Sequence, residues 1–147
     1  MYRLFIVEDD PGIANAVAAQ AQAWNLQTHI VQDFSNVMHE FAEFSPHIVL
    51  LDIMLPFFDG YHWCSEIRRV SKVPIIFVSS ASDNMNIVMA MNLGADDFIC
   101  LTAASSWRKS RLFCAVLTIS APISRCSSIA AHCSIRVKIL SFSAMKR

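Results

Sequence analysis

At 147 residues the chain has room for one domain with a proper core, and it needs no disulfide or metal staples to hold that core. Apolar residues make up 54% and charged residues only 16%, a composition rich in core and thin in surface charge. The formal net charge of zero hides a split: all twelve acids fall within residues 8–97, whereas residues 98–147 hold eight Lys or Arg and no acid.

Residues 2–7 are a short apolar, β-rich run and predict a buried strand. Asp10-Pro11 follows as an N-cap with proline in the first turn, opening an Ala-rich helix over 13–24. Residues 27–31 read as a second strand. Ser35 is placed to cap the next helix, in which Val37, Met38, Phe41 and Phe44 have helical spacing and which Pro46 ends. Residues 47–51 are an almost purely apolar strand ending at Asp52. Asp59-Gly60 opens a helix through 61–70. After Pro74 comes a fourth strand, 75–78, which ends at Ser79. Asp83 can cap a helix over 84–93, stopped by Gly94, and 97–101 is a fifth strand. Met85, Met89 and Met91 read as packing residues of that last helix.

Continuously apolar strands separated by helices indicate a parallel sheet buried on both faces. The fold class is therefore α/β, a doubly wound five-stranded parallel sheet. Sites in such sheets lie beyond the carboxyl ends of the strands. Strand one ends in Glu8-Asp9-Asp10, strand three in Asp52 and strand four in Ser79-Ser80. Carboxylates crowded there raise each other's pKa or demand a cation, and an oxygen-only cluster suits Mg²⁺. A carboxylate can also act as nucleophile and form an acyl phosphate. Asp52 is the best candidate, because it ends the central strand between the other two. Asp10 is placed as a helix cap instead.

Five blocks bear a resemblance. They are Ile6-Val7-Glu8-Asp9-Asp10, the stretch from Leu50 through Asp52 to Pro56, Asp59-Gly60, Pro74 to Ser79, and Gly94-Ala95-Asp96-Asp97-Phe98. In order and spacing they resemble the signature blocks of CheY-like response-regulator receiver domains from bacterial two-component systems. Their wording is similar to the OmpR/PhoB-like winged-helix subfamily. The resemblance implies a cytoplasmic signalling module rather than an enzyme, with Asp52 phosphorylated by a sensor histidine kinase. It implies Mg²⁺ held by Glu8, Asp9, Asp52 and the backbone carbonyl of Met54. Ser79 matches the family's switch hydroxyl, with Ser80 as the fallback, and Phe98 matches its switch aromatic. Leu101 stands where the family has an invariant lysine. The resemblance further implies a homodimer face on helix four and strand five. A dehalogenase-type Asp phosphotransferase is the other catalytic reading, but it wants a second Asp where Met54 stands.

The resemblance stops near Cys100. Residues 1–101 read as the receiver, and 102–147 as a basic Ser, Ala and Cys-rich tail without Gly, with no clean helix or strand period over its length. A frameshift near Cys100 is the expected cause, with the family's last helix and DNA-binding domain replaced. DNA binding by this chain is then not expected, and a non-functional remnant is the competing reading. Cys64, Cys100, Cys114, Cys126 and Cys133 show no CxxC spacing and read as reduced thiols. No apolar run is long enough to span a bilayer.

Overall fold

The computed structural model describes residues 1–79 and 84–100. Strands β1 (Arg3–Val7), β2 (Gln27–Ile30), β3 (Ile48–Leu51), β4 (Ile75–Ser79) and β5 (Asp97–Cys100) form one sheet of order β2-β1-β3-β4-β5. Every pairing is parallel. Helices α1 (Pro11–Gln22), α2 (Val37–Phe44), α3 (Gly60–Val70) and α4 (Asn84–Asn92) connect the strands. None of the described helices is long and apolar enough to cross a membrane.

Alternation along each strand divides the core in two. Leu4, Ile6, Ile48, Leu50, Ile76, Val78 and Ile99 share one face of the sheet, where α1 sits on Ala14, Val17, Ala18 and Ala21. Three of those four helix residues are alanines, so the helix backbone lies close to the sheet. Phe5, Val7, Val49, Leu51, Ile75 and Phe77 share the other face, against Val37 and Phe41 of α2, Trp63, Cys64 and Ile67 of α3, and Ala90 of α4. Each large apolar side chain buried this way contributes about 1.5–3 kcal/mol.

Several local expectations are met and others need correction. The Asp10 carboxylate accepts the N–H groups of Gly12 and Ile13 at 2.7 and 3.0 Å, and Asp59 accepts that of His62 at 2.8 Å. Such caps are worth about 1 kcal/mol each. α1 starts at Pro11 and stops at Gln22, because the chain turns at once through Asn25, which has φ +60°. Ser35 does not cap α2. Its N–H and hydroxyl both turn back to Asp33, and Asn36 takes the cap position without a side-chain bond. Glu40, one turn into α2, ties the loop instead. It accepts the N–H groups of Gln32 and Asp33 at 3.1 and 2.7 Å, and its other oxygen meets the His29 ring. Burial pushes the Glu40 carboxyl up, but the His29 and backbone bonds outweigh it and hold it below its usual value.

The methionines of α4 are not packing residues. Met85, Met89 and Met91 are exposed, and α4 puts Ala90 into the core in their place. Its apolar residues run round the helix instead of forming a stripe, so several must face outward. Gly94 has φ +94°, which ends the helix as expected. Asp83, Ser80 and Leu101 lie outside the described residues.

Candidate functional site

Register sets the site. Val7 pairs with Leu51, and the N–H of Asp52 donates to the Val7 carbonyl at 2.9 Å. Glu8 and Asp52 therefore leave adjacent strands side by side at the carboxyl edge. Glu8, Asp9 and Asp52 each offer an oxygen, and these oxygens all lie within 4.8 Å of one another. Asp10 is occupied by its cap, but its N–H donates to Glu8 Oε1 at 3.2 Å.

The electrostatics follow from this crowding. Burial pushes the Glu8 carboxyl up to about 7, and the Asp52 carboxylate beside it adds to the rise. The Asp10 N–H opposes that rise, while Asp9 and Asp10 reinforce it. Asp52 is also raised, by burial first. The N–H groups of Ile53 and Met54 and the Ser79 hydroxyl donate to its carboxylate and pull the other way. Ion pairs occupy two of the basic side chains elsewhere: Arg68 binds Asp96 and Arg69 binds Glu66. Carboxylates held together in this way are relieved by a cation, and three hard oxygens have the chemistry of a divalent-metal site.

The structure thus brings together Glu8, Asp9, Asp52 and Ser79. Ser79 is the last residue of β4 and only 1% exposed, so its hydroxyl faces Asp52 from within the fold. Met54 presents its N–H to Asp52 and leaves its side chain exposed. Phe98 stands apart from the carboxylates. It is half-buried on β5, its ring stacked 6.4 Å from Phe77, which in turn lies 5.5 Å from Tyr61. The Tyr61 hydroxyl reaches Asn86 of α4 at 3.2 Å.

Gly60 is a site residue that the pattern of acids does not reveal. A Cβ there would fall 2.0 Å from the Asp52 carbonyl oxygen, so only glycine lets α3 start this close to the Asp52 backbone. Its N–H closes the loop by donating to the Ile53 carbonyl at 2.9 Å. The Asp59-Gly60 dipeptide was the available signal, but it marks a helix start and not a close approach. Within the same loop Phe57 has φ +67° and is highly exposed, a strained and solvent-facing position for an aromatic residue.

Known proteins resemble this chain in sequence and fold. The response-regulator receiver domain family matches residues 4–102. An uncharacterised transcriptional regulatory protein of Bacillus subtilis, YvcP, is 46% identical over 99 residues, covering 67% of this chain and 42% of its own. The sensory transduction protein BceR of the same organism is 44% identical over 99 residues, 67% of this chain and 43% of its own. The chain thus spans about two fifths of the length of these curated relatives. Among solved structures, the N-terminal domain of the nisin resistance regulator NsrR is 37% identical, with a TM-score of 0.66 over 80% of this chain and 96% of its own. The BeF3-activated receiver domain of Klebsiella pneumoniae RstA is 28% identical, with a TM-score of 0.70 over 80% and 96% of the two chains. The chain belongs to the response-regulator receiver domain family.

Proposed function

We propose that Asp52 is the phosphoacceptor of this receiver and that a sensor histidine kinase in the cytoplasm is its donor. The single observation carrying the reading is the convergence of Glu8, Asp9 and Asp52 within 4.8 Å, with the Ser79 hydroxyl on Asp52. In this reading an Asp52 carboxylate oxygen attacks phosphorus. The phosphorus–nitrogen bond of the donor phosphohistidine breaks, and an acyl phosphate forms. Mg²⁺ is the proposed cation, held by the three carboxylates and the Met54 carbonyl, and it would neutralise the phosphoryl oxygens during transfer. Ser79 then bonds a phosphoryl oxygen, and Phe98 follows that movement as the switch aromatic. The protein is in this sense a switch and not a turnover enzyme.

Residues 1–101 form the signalling unit in this proposal, and 102–147 are an unrelated continuation, most simply a frameshift of a longer DNA-binding regulator. Self-association through α4 and β5 is supported by the exposed Met85, Val88, Met89 and Met91. A remnant without activity is the second reading. Leucine 101 favours it, because it removes the cation that the family places beside the phosphoryl group.

Incubation with acetyl phosphate and Mg²⁺ tests the choice. The expected outcome is a base-labile mass gain of one phosphoryl group, absent in Asp52→Asn. No gain in the natural chain establishes the remnant.

A further inference from the structure

Helices α3 and α4 meet along two stripes. On α3 the stripe is Tyr61, Cys64 and Arg68, at helical spacing i, i+3 and i+7. On α4 and the turn after it the stripe is Asn86, Ala90 and Leu93, spaced i, i+4 and i+7. The two ends of α4 are held differently. At its carboxyl end the Cys64 thiol donates to the Leu93 carbonyl at 3.7 Å, and Arg68 Nε donates to the Gly94 carbonyl at 2.7 Å. Nearer its start the Tyr61 hydroxyl donates to Asn86, 3.2 Å from Oδ1 and 3.3 Å from the carbonyl oxygen.

Apolar burial adds little to that attachment. Ala90 is the one buried side chain among the described side chains of α4, and a single methyl covers a small area. Met85, Val88 and Met89 face outward. Asn86 is a polar residue on an inward stripe, and its half-buried amide is costly to leave without a partner. Tyr61 supplies that partner. Burial first, and Asp59 second, raise its hydroxyl above the usual value, so it stays a donor.

The Tyr61 ring has a second contact. It lies 5.5 Å from Phe77, which is fully buried and pairs in register with Phe98 on β5. The Phe77 and Phe98 rings stack at 6.4 Å. An enclosed ring cannot absorb a shift of its neighbour, because a close-packed interior passes strain on. We infer that Tyr61 is the positioning residue of α4: its hydroxyl pins the start of the helix through Asn86, and its ring, through Phe77, makes that pin follow Phe98. The far end of the helix stays fixed at Leu93 and Gly94. The use of the pin in signalling rests on the reading of Phe98 proposed above, whereas the pin itself exists without it.

Hydrogen exchange on the full, unphosphorylated chain tests this. Tyr61→Phe keeps the ring and removes the hydroxyl. It should speed exchange of the Val88, Met89 and Ala90 amides at least about tenfold and leave those of α1 unchanged. Asn86→Ala should do the same, and the double variant should add nothing further. Phe98→Leu should speed the same amides about threefold in the natural chain and not at all in Tyr61→Phe, where the connection is already cut. No rise in Tyr61→Phe, an equal rise in α1 and α4, or additive effects of Tyr61→Phe and Asn86→Ala overturns the pin. A Phe98→Leu effect that persists in full in Tyr61→Phe overturns the link to Phe98. Should Tyr61→Phe fail to fold, Asn86→Ala alone and combined with Phe98→Leu gives the same readings. Failure of acetyl phosphate to label Asp52, with these exchange results intact, sinks the phosphoacceptor reading and leaves the pin standing.

Discussion

The two edges of the sheet treat the same residue type in opposite ways. At the amino edge, Asp96 is fully partnered: Arg68 donates to it at 2.7 Å and the Ile75 N–H at 2.9 Å. Arg68 also donates to the Gly94 and Val73 carbonyls, so one guanidinium joins α3 to the start of β4 and to the turn before β5. At the carboxyl edge, Glu8, Asp9 and Asp52 face one another, and Glu8 is pushed up to about 7. The amino edge is built for stability. At the carboxyl edge local repulsion is kept, which is where chains of this kind place function.

Substitutions at each edge can break that contrast. Arg68→Ala should have the largest effect on folding, about 2–3 kcal/mol, because it removes three bonds and leaves the Asp96 carboxylate without its cation. Denaturant unfolding checks this, and a loss under about 0.5 kcal/mol makes the clamp ornamental. Gly60→Ala should cost about 2 kcal/mol, since the 2.0 Å contact forces α3 off the Asp52 backbone. Phosphorylation by acetyl phosphate should fall with it.

Asp9→Asn should act the other way round. Labelling of Asp52 at limiting Mg²⁺ falls at least about tenfold, while the thermal midpoint holds or rises as repulsion is relieved. A lowered midpoint with labelling intact reverses the assignment of the edges.

The pH dependence carries a definite sign. Glu8 moves from 4.5 in the unfolded chain to about 7 in the fold. The folded chain then binds more protons between those values, so the contribution is full below 4.5 and is lost as pH rises through about 7. A divalent cation favours the ionised form and reverses the loss. Mg²⁺ should therefore raise the melting temperature more at about pH 8 than at about pH 5. Equal shifts at the two pH values exclude Glu8 from the metal site. Smallest of all, Phe57→Gly should stabilise by about 0.5–1 kcal/mol by removing a side chain from a positive φ, read as a small rise in midpoint.

Much of this was legible in the sequence, for physical reasons. A short apolar run such as residues 48–51, flanked by Pro46 and rich in β-branched residues, reads as a strand buried on both faces, and the residue after it falls at the sheet edge. The same rule places Asp52, Glu8 and Ser79 at the carboxyl edge of the sheet. What stayed hidden depends on partners distant in sequence. Arg68 and Asp96 are 28 positions apart, and no local pattern joins them. Ser35 looked like a cap because its type is right, but Asp33 competes for its hydroxyl two residues away. The α4 methionines looked like core because they are apolar, and only the orientation of the helix shows them outside. Nothing about phenylalanine announces the left-handed backbone at Phe57.

The Glu40 tie sets a limit on the connection between β2 and α2. A loop fastened at its own ends can gain or lose a residue and close again. This one is fastened from inside the following helix, with Gln32, Asp33 and His29 all reaching one carboxylate. Inserting or deleting a single residue between Asp33 and Glu40 would rotate that carboxylate by about 100° around the helix and drop all three attachments together. An exposed connection, which would ordinarily tolerate changes of length, is thereby fixed in length by a single side chain.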